Sequence, residues 1–102
     1  MRRYVLTPEA AADLREIRDY VLDQGSPRAA RYVVSAIISA CRSVALTPGQ
    51  GHRRPDLTAR DDLRFRSVFS YLIVYRLGKK PVHAIAIFHG KRDVAAVLSE
   101  RT

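Results

Sequence analysis

The sequence predicts an α+β fold: an N-terminal strand and an antiparallel αα-hairpin packed on a small antiparallel sheet, in the order β-α-α-β-β-β with a short C-terminal helix. Three observations carry this prediction. Two proline-initiated segments between residues 8 and 46 repeat apolar side chains at helical spacing. Three short segments after residue 62 are rich in β-branched and aromatic residues. The connections within each group are only a few residues long, which forces neighbours in sequence to be neighbours in space.

Residues 2–6, Arg-Arg-Tyr-Val-Leu, read as a strand that ends at Thr7-Pro8. Thr7 is a suitable N-cap and Pro8 suits the first helical position, where its missing N–H costs nothing. Ala10, Leu14, Ile17 and Val21 then form one apolar stripe, so the first helix is predicted from 8 to about 23, stopped by Gln24-Gly25. Ser26-Pro27 repeats the start signal. The second helix presents Ala30, Val33, Val34, Ile37, Ile38, Cys41, Val44 and Ala45 on a wide apolar face and ends at Thr47-Pro48-Gly49. Residues 47–62 hold Pro48, Gly49, Gly51, Pro55 and several charges, and read as a loop with room for one helical turn. Leu63–Val68, Tyr71–Arg76 and Val82–Phe88 read as an antiparallel meander, with the second as a central strand because both its faces are apolar. From Lys91 onward, Asp93, Val94, Val97 and Leu98 suit a short helix.

At 102 residues and 11.5 kDa the chain is one domain's worth, 1–102. Its 47% hydrophobic and 27% charged content is that of a globular protein, not a disordered one. Cys41 stands alone, so no internal disulfide forms and the expected compartment is the cytoplasm. No apolar run approaches the ~20 residues of a membrane span, and Met1–Leu6 lacks the apolar segment of a signal peptide. The net charge is +8, with a pI near 10.4, which favours an anionic partner. The excess sits in residues 47–102, with eleven basic side chains against five acidic, compared with seven against five before them.

Phosphate-loop, dinucleotide-fingerprint and nucleophile-elbow motifs are absent. His52, His83 and His89 are scattered, so no metal site is expected. Cys41, on an apolar helix face, reads as a small core residue. Tyr71 and Tyr75 share a strand face and read as packing, and Asp61-Asp62 as capping or solvated groups. What remains is basic: Arg53, Arg54 and Arg60 in the loop, Arg64 and Arg66 on one strand face, Arg76, and His89, Lys91 and Arg92. These are either surface charges, some paired with Asp56, Asp61, Asp62 or Asp93, or members of a converging anion-binding groove. Sequence leaves both open.

Three patterns, in this order, resemble the RelE/ParE superfamily of bacterial toxins, and its ParE branch in particular. They are Leu6-Thr7-Pro8-Glu9-Ala10-Ala11-Ala12-Asp13-Leu14-Arg15-Glu16-Ile17; Leu63-Arg64-Phe65-Arg66-Ser67 followed by Tyr71-Leu72-Ile73-Val74-Tyr75-Arg76; and Ile85-Ala86-Ile87-Phe88-His89-Gly90-Lys91-Arg92-Asp93. The resemblance implies the toxin of a type II toxin–antitoxin pair. It would have no cofactor and would act by binding DNA gyrase and blocking replication, in a role such as plasmid maintenance. The implied partner is a ParD-like antitoxin, a ribbon-helix-helix protein whose tail wraps the toxin and through which the complex binds operator DNA. The toxic determinant is expected in Phe88 to about Leu98, with His89, Lys91, Arg92 and Asp93. Antitoxin contacts are expected from the helix pair and from Arg64, Arg66 and Arg76. The rival, from the RelE branch, is a ribosome-dependent messenger endoribonuclease using His89, Arg64, Arg66 and Arg92. Two departures argue against it: Leu72 stands where such nucleases carry a catalytic arginine, and Gly90 where some place a tyrosine.

Overall fold

The computed structural model describes residues 4–78, 80–89 and 93–102. Its elements are β1 (Tyr4–Leu6), α1 (Pro8–Gln24), α2 (Pro27–Leu46), a 3₁₀ turn (Pro48–Gln50), β2 (Leu63–Val68), β3 (Tyr71–Arg76), β4 (Val82–His89) and α3 (Val94–Arg101). Each helix starts as its sequence dictates. The Thr7 hydroxyl accepts the Ala10 N–H at 3.2 Å and the Ser26 hydroxyl the Ala29 N–H at 3.1 Å. The Asp93 carboxylate accepts the Ala96 N–H at 3.2 Å. These bonds satisfy N–H groups that the first helical turn leaves without partners.

The meander is antiparallel as expected, but the complete sheet is mixed. Its order is β1-β4-β3-β2, and β1 pairs in parallel with β4 through Tyr4↔Val82, Val5↔His83 and Leu6↔Ala84. The cause lies in the connection. The helix pair delivers the chain to the far side of the sheet, and the loop before β2 carries it back along the sheet edge. His52 exchanges both backbone hydrogen bonds with Phe65, at 2.9 and 2.8 Å, so this loop also covers the outer edge of β2. The meander then grows back toward β1, and its third strand meets β1 running the same way. Central position is shared between β3 and β4.

Register between β3 and β4 shifts between Val74↔Ala86 and Tyr75↔Ala84, leaving Ile85 as an extra residue. This bulge lets β4 serve two cores. Ala84 and Ile87 join Ile17, Ile37, Ala40, Cys41, Tyr71 and Ile73 beneath the helix pair. Ile85, Ala86 and Phe88 join Leu63, Phe65 and Val74 on the opposite face, beneath Val94 and Leu98 of α3. Each fully buried aliphatic or aromatic side chain contributes roughly 1.5–3 kcal/mol. The long apolar α2 meets the length and composition of a membrane span, but Ala30, Ile37, Ala40, Cys41 and Val44 are buried within the protein.

Cys41 is a core residue, and burial pushes its thiol from 9.0 up to about 11. Only the unfolded chain ionises this thiol between those values, so its contribution to stability is complete below pH 9 and declines as pH rises toward 11. At pH 8 the native chain is expected to react with iodoacetamide at least tenfold more slowly than the urea-unfolded chain; equal rates would place the thiol outside the core.

The β2–β3 connection is the two-residue turn Phe69-Ser70. Phe69 takes φ 55°, the left-handed region that a bulky residue occupies at a cost of order 1–3 kcal/mol.

Candidate functional site

β1 stops at Leu6, so the outer edge of β4 beyond Ala84 has no strand beside it. Side chains take over its backbone groups. Thr7 donates its N–H to the Ala84 carbonyl at 3.0 Å and its hydroxyl to the Ile85 carbonyl at 3.4 Å. Ile87 donates its N–H to Asp13 Oδ2 at 3.0 Å. Asp13, only 4% exposed, also receives both terminal nitrogens of Arg101, at 2.6 and 2.9 Å. Arg101 reaches the Ile85 carbonyl as well, at 3.2 Å, and lies 5.6 Å from the Phe88 ring centroid. The hydrogen bonds from Arg101 to Asp13 hold its guanidinium above its already high ordinary pKa. One ion pair therefore joins α1, the exposed stretch of β4 and the last turn of α3.

Next to this clamp is an open cavity of about 430 Å³, lined by Asp13, Glu16, Ile17, Tyr20, Tyr71, Ile87 and His89. His89 meets Tyr71 edge-on, with ring centroids 5.5 Å apart. Burial, and then the neighbouring Tyr20, push the Tyr71 phenol above its ordinary range, so it is a neutral donor at physiological pH. Such a cavity offers an apolar floor, phenolic and imidazole hydrogen-bonding groups, and carboxylates on the α1 side. It suits a protein side chain or peptide better than a bare anion.

Among the described residues the arginines do not converge into one groove. All three loop arginines are paired: Arg53 with Asp61, Arg54 with Asp56 at 2.8 Å and Arg60 with Asp62 at 2.6 Å. These contacts are exposed and weak as stability terms. Arg64 and Arg66 alternate with Leu63 and Phe65, so they share the helix-pair face of β2. Arg64 donates to the Asp61 and Leu63 carbonyls at 2.7 and 2.9 Å, and Arg66 to Gln50 Oε1 at 3.1 Å and to the Ser67 carbonyl. Arg76 is opposite Leu63 and therefore on the other face, where its Nε is buried without a hydrogen-bond partner. His89 pairs with Tyr71, which pairs with Val68. Ordinary strand spacing then puts its Cα roughly 12 Å from that of Arg66. Asp93 caps α3, and Lys91 and Arg92 lie outside the described residues.

Tyr75, fully buried, ties the loop to the sheet. Its hydroxyl donates to the Pro48 carbonyl and accepts the Gly51 N–H at 3.0 Å. A Cβ on residue 51 would lie 2.4 Å from that hydroxyl, so Gly51 is required by close approach. Sequence reading missed Arg101, Glu16 and Tyr20. Asp13 carried a signal, as a carboxylate one turn ahead of Ile17 on the apolar side of its helix. Arg101 carried none, since its partner is 88 positions away. Among the described residues no three His, Cys, Asp or Glu side chains are grouped as metal ligands.

An αα-hairpin on one face of a four-stranded mixed sheet and a short terminal helix clamped to the other define a small basic α+β domain. The family of ParE toxins of type II toxin–antitoxin systems, parDE, matches residues 4–94, and the chain belongs to that family. A solved structure described as the chromosomal ParDE TA system from P. aeruginosa is similar in fold, with a TM-score of 0.72 and 23% identity over 87% of this chain and 96% of that one. No curated protein matches the chain.

Proposed function

We propose that this chain acts in the cytoplasm by inhibiting DNA gyrase, and that an antitoxin neutralises it by laying its tail across the helix pair and the arginine-bearing edge of the sheet. The toxin–antitoxin complex would contact operator DNA through the antitoxin. The observation that supports gyrase over messenger cleavage is Leu72. It is half-buried, packs against the cluster beneath α3 and lines the cleft beside Asp93, so an apolar side chain that can neither donate a proton nor stabilise developing charge stands at this position. A nuclease built from His89, Arg64, Arg66 and Arg92 would lack that cation, and removing such a group costs several powers of ten in rate. The open cavity beside His89, with Tyr20, Tyr71 and Ile87 in its lining, suits a side chain inserted from the antitoxin tail. The ParDE assembly named for the similar structure supports an antitoxin partner in the same way.

The test is a paired assay on the purified chain: plasmid supercoiling by gyrase, and messenger cleavage on programmed ribosomes. Inhibited supercoiling without cleavage is the expected result; cleavage with normal supercoiling overturns it. Toxicity is assigned to Phe88 through about Leu98, including His89, Lys91, Arg92 and Asp93. Arg92→Ala is accordingly expected to weaken growth inhibition at least tenfold while shifting Tm by less than about 2 °C. An unchanged growth phenotype would remove Arg92 from the determinant.

A further inference from the structure

Charge is sharply divided along this chain. Glu9, Asp13, Glu16, Asp19 and Asp23 all belong to α1, whereas no carboxylate occurs from Gln24 to Pro55 or from Leu63 to Arg92. These two acid-free stretches meet where α2 passes the β2–β3 turn. There Tyr32 and Phe69 stack, with centroids 5.7 Å apart and planes inclined by 27°. Neither ring serves the core: Tyr32 is 65% and Phe69 60% exposed. Phe69 also holds the left-handed φ of the turn, where glycine or asparagine is favoured. An exposed phenylalanine kept against the preference of its own backbone points to a use for the ring.

The surround narrows that use. Arg28 lies one turn before Tyr32 on the same helix face, Arg31 adjoins Tyr32 at the cleft between α1 and α2, and both are exposed, as is Ser35; Ser67 and Ser70, also exposed, line the cleft on the far side of the turn. Asp93 shares a shallow cleft with Phe69 on the far side of the turn, but it is engaged in capping α3. A protein-binding hot spot sits in a desolvated apolar surround, whereas both rings of this pair are more than half exposed, with Arg28 and Ser35 beside Tyr32 and a cleft of mixed lining, including Ser67, Ser70, Leu72 and Val94, beside Phe69. Aromatic faces beside mobile guanidinium groups suit stacked bases and phosphates.

We propose that the Tyr32–Phe69 pair, flanked by Arg28 and Arg31, is a stacking platform for single-stranded nucleic acid. A base extends the aromatic stack from its exposed face, and the arginines neutralise adjacent phosphates. The platform is independent of the gyrase reading, because its readout is direct binding to an oligonucleotide.

The experiment is fluorescence anisotropy on the full chain with fluorescein-labelled twelve-mers: oligo(dT), oligo(rU) and a mixed-sequence duplex. Tighter binding of both single strands than of duplex is expected. Tyr32→Ala and Phe69→Gly should each weaken it about 5- to 100-fold. Preference between dT and rU tells DNA from RNA as the natural strand. Phe69→Gly relieves the positive φ and is expected to melt no lower than the parent, so lost binding in that variant is not lost folding. Tyr32→Leu keeps apolar cover without a π face and should behave like Tyr32→Ala. The proposal is overturned if the parent binds no single strand, or if the variants bind as the parent does, leaving only salt-dependent adhesion of a basic chain. Equal, variant-sensitive binding of a labelled oligo-glutamate peptide would overturn it too, in favour of an acidic protein segment.

Discussion

Asp13→Ala is expected to cost about 3–5 kcal/mol of folding stability, the range for breaking a buried, hydrogen-bonded ion pair from one side. The substitution orphans two groups together. Arg101 loses both bonds to its carboxylate partner and keeps the Ile85 carbonyl, and the Ile87 N–H loses its acceptor. A domain of this length has about 5–15 kcal/mol in total, so the variant should be marginal at 37 °C. Urea denaturation measures the loss, and a change under about 1 kcal/mol would mean that water or a neighbouring group takes over the carboxylate's role. Arg101→Met should also destabilise, since it leaves the Asp13 carboxylate buried with only a backbone partner. The double variant Asp13→Leu with Arg101→Met removes both charges and should cost less than the two single changes summed, because an apolar pair carries no desolvation penalty. The C-terminal helix is the element this pair secures, so its amide protons are expected to exchange faster in Asp13→Ala than those of β3.

Ile73→Ala is expected to cost about 2–5 kcal/mol, as a truncation in a packed core does. Ile73 is fully buried in β3 and belongs to the cluster that Ile37 of α2 and Ile87 of β4 also form. Loss of its branched side chain leaves a cavity between a helix and a sheet that are each held by several other contacts, so collapse around it is restricted. Ile37→Ala, from the opposing surface, should fall in the same range. Equilibrium unfolding checks both; a loss below about 1 kcal/mol would show that α2 settles into the space. Arg92→Ala is expected to show the opposite behaviour, with function altered and stability kept. Equal destabilisation by Ile73→Ala and Arg92→Ala would contradict that division between core and toxic determinant.

Local chemistry was readable in the sequence wherever a residue acts on its near neighbours. Thr7-Pro8 and Ser26-Pro27 start their helices because a hydroxyl acceptor and a residue without an N–H satisfy the first turn from within four positions. The apolar spacing from Ala30 to Val44 placed Cys41 in the core for the same reason. Short turns brought Leu63–Val68, Tyr71–Arg76 and Val82–His89 together as a meander. Three motifs in order, all within residues 4–94, identified the family. The arginine pairing with Asp56, Asp61 and Asp62 was foreseeable too, since those partners are two to eight residues away.

Other features needed the folded chain. The parallel seat of β1 depends on which edge the returning meander reaches, and no residue of β1 encodes it. The Ile85 bulge reassigns Ile85 and Ala86 to the α3 face, against the simple alternation that a strand pattern assumes. Arg64 and Arg66 looked like companions of Arg76 and His89, yet strand parity puts Arg76 on the other face and the width of β3 separates them from His89. Asp13 and Arg101 gain their roles only from each other, and Tyr32 and Phe69 only from the approach of a helix to a turn. The sequence by itself determined the helices, the strands and the family, because those rest on contacts a few residues apart. Tertiary structure decided the mixed sheet, the buried clamp and the exposed aromatic pair, because each joins groups that local preference cannot sense.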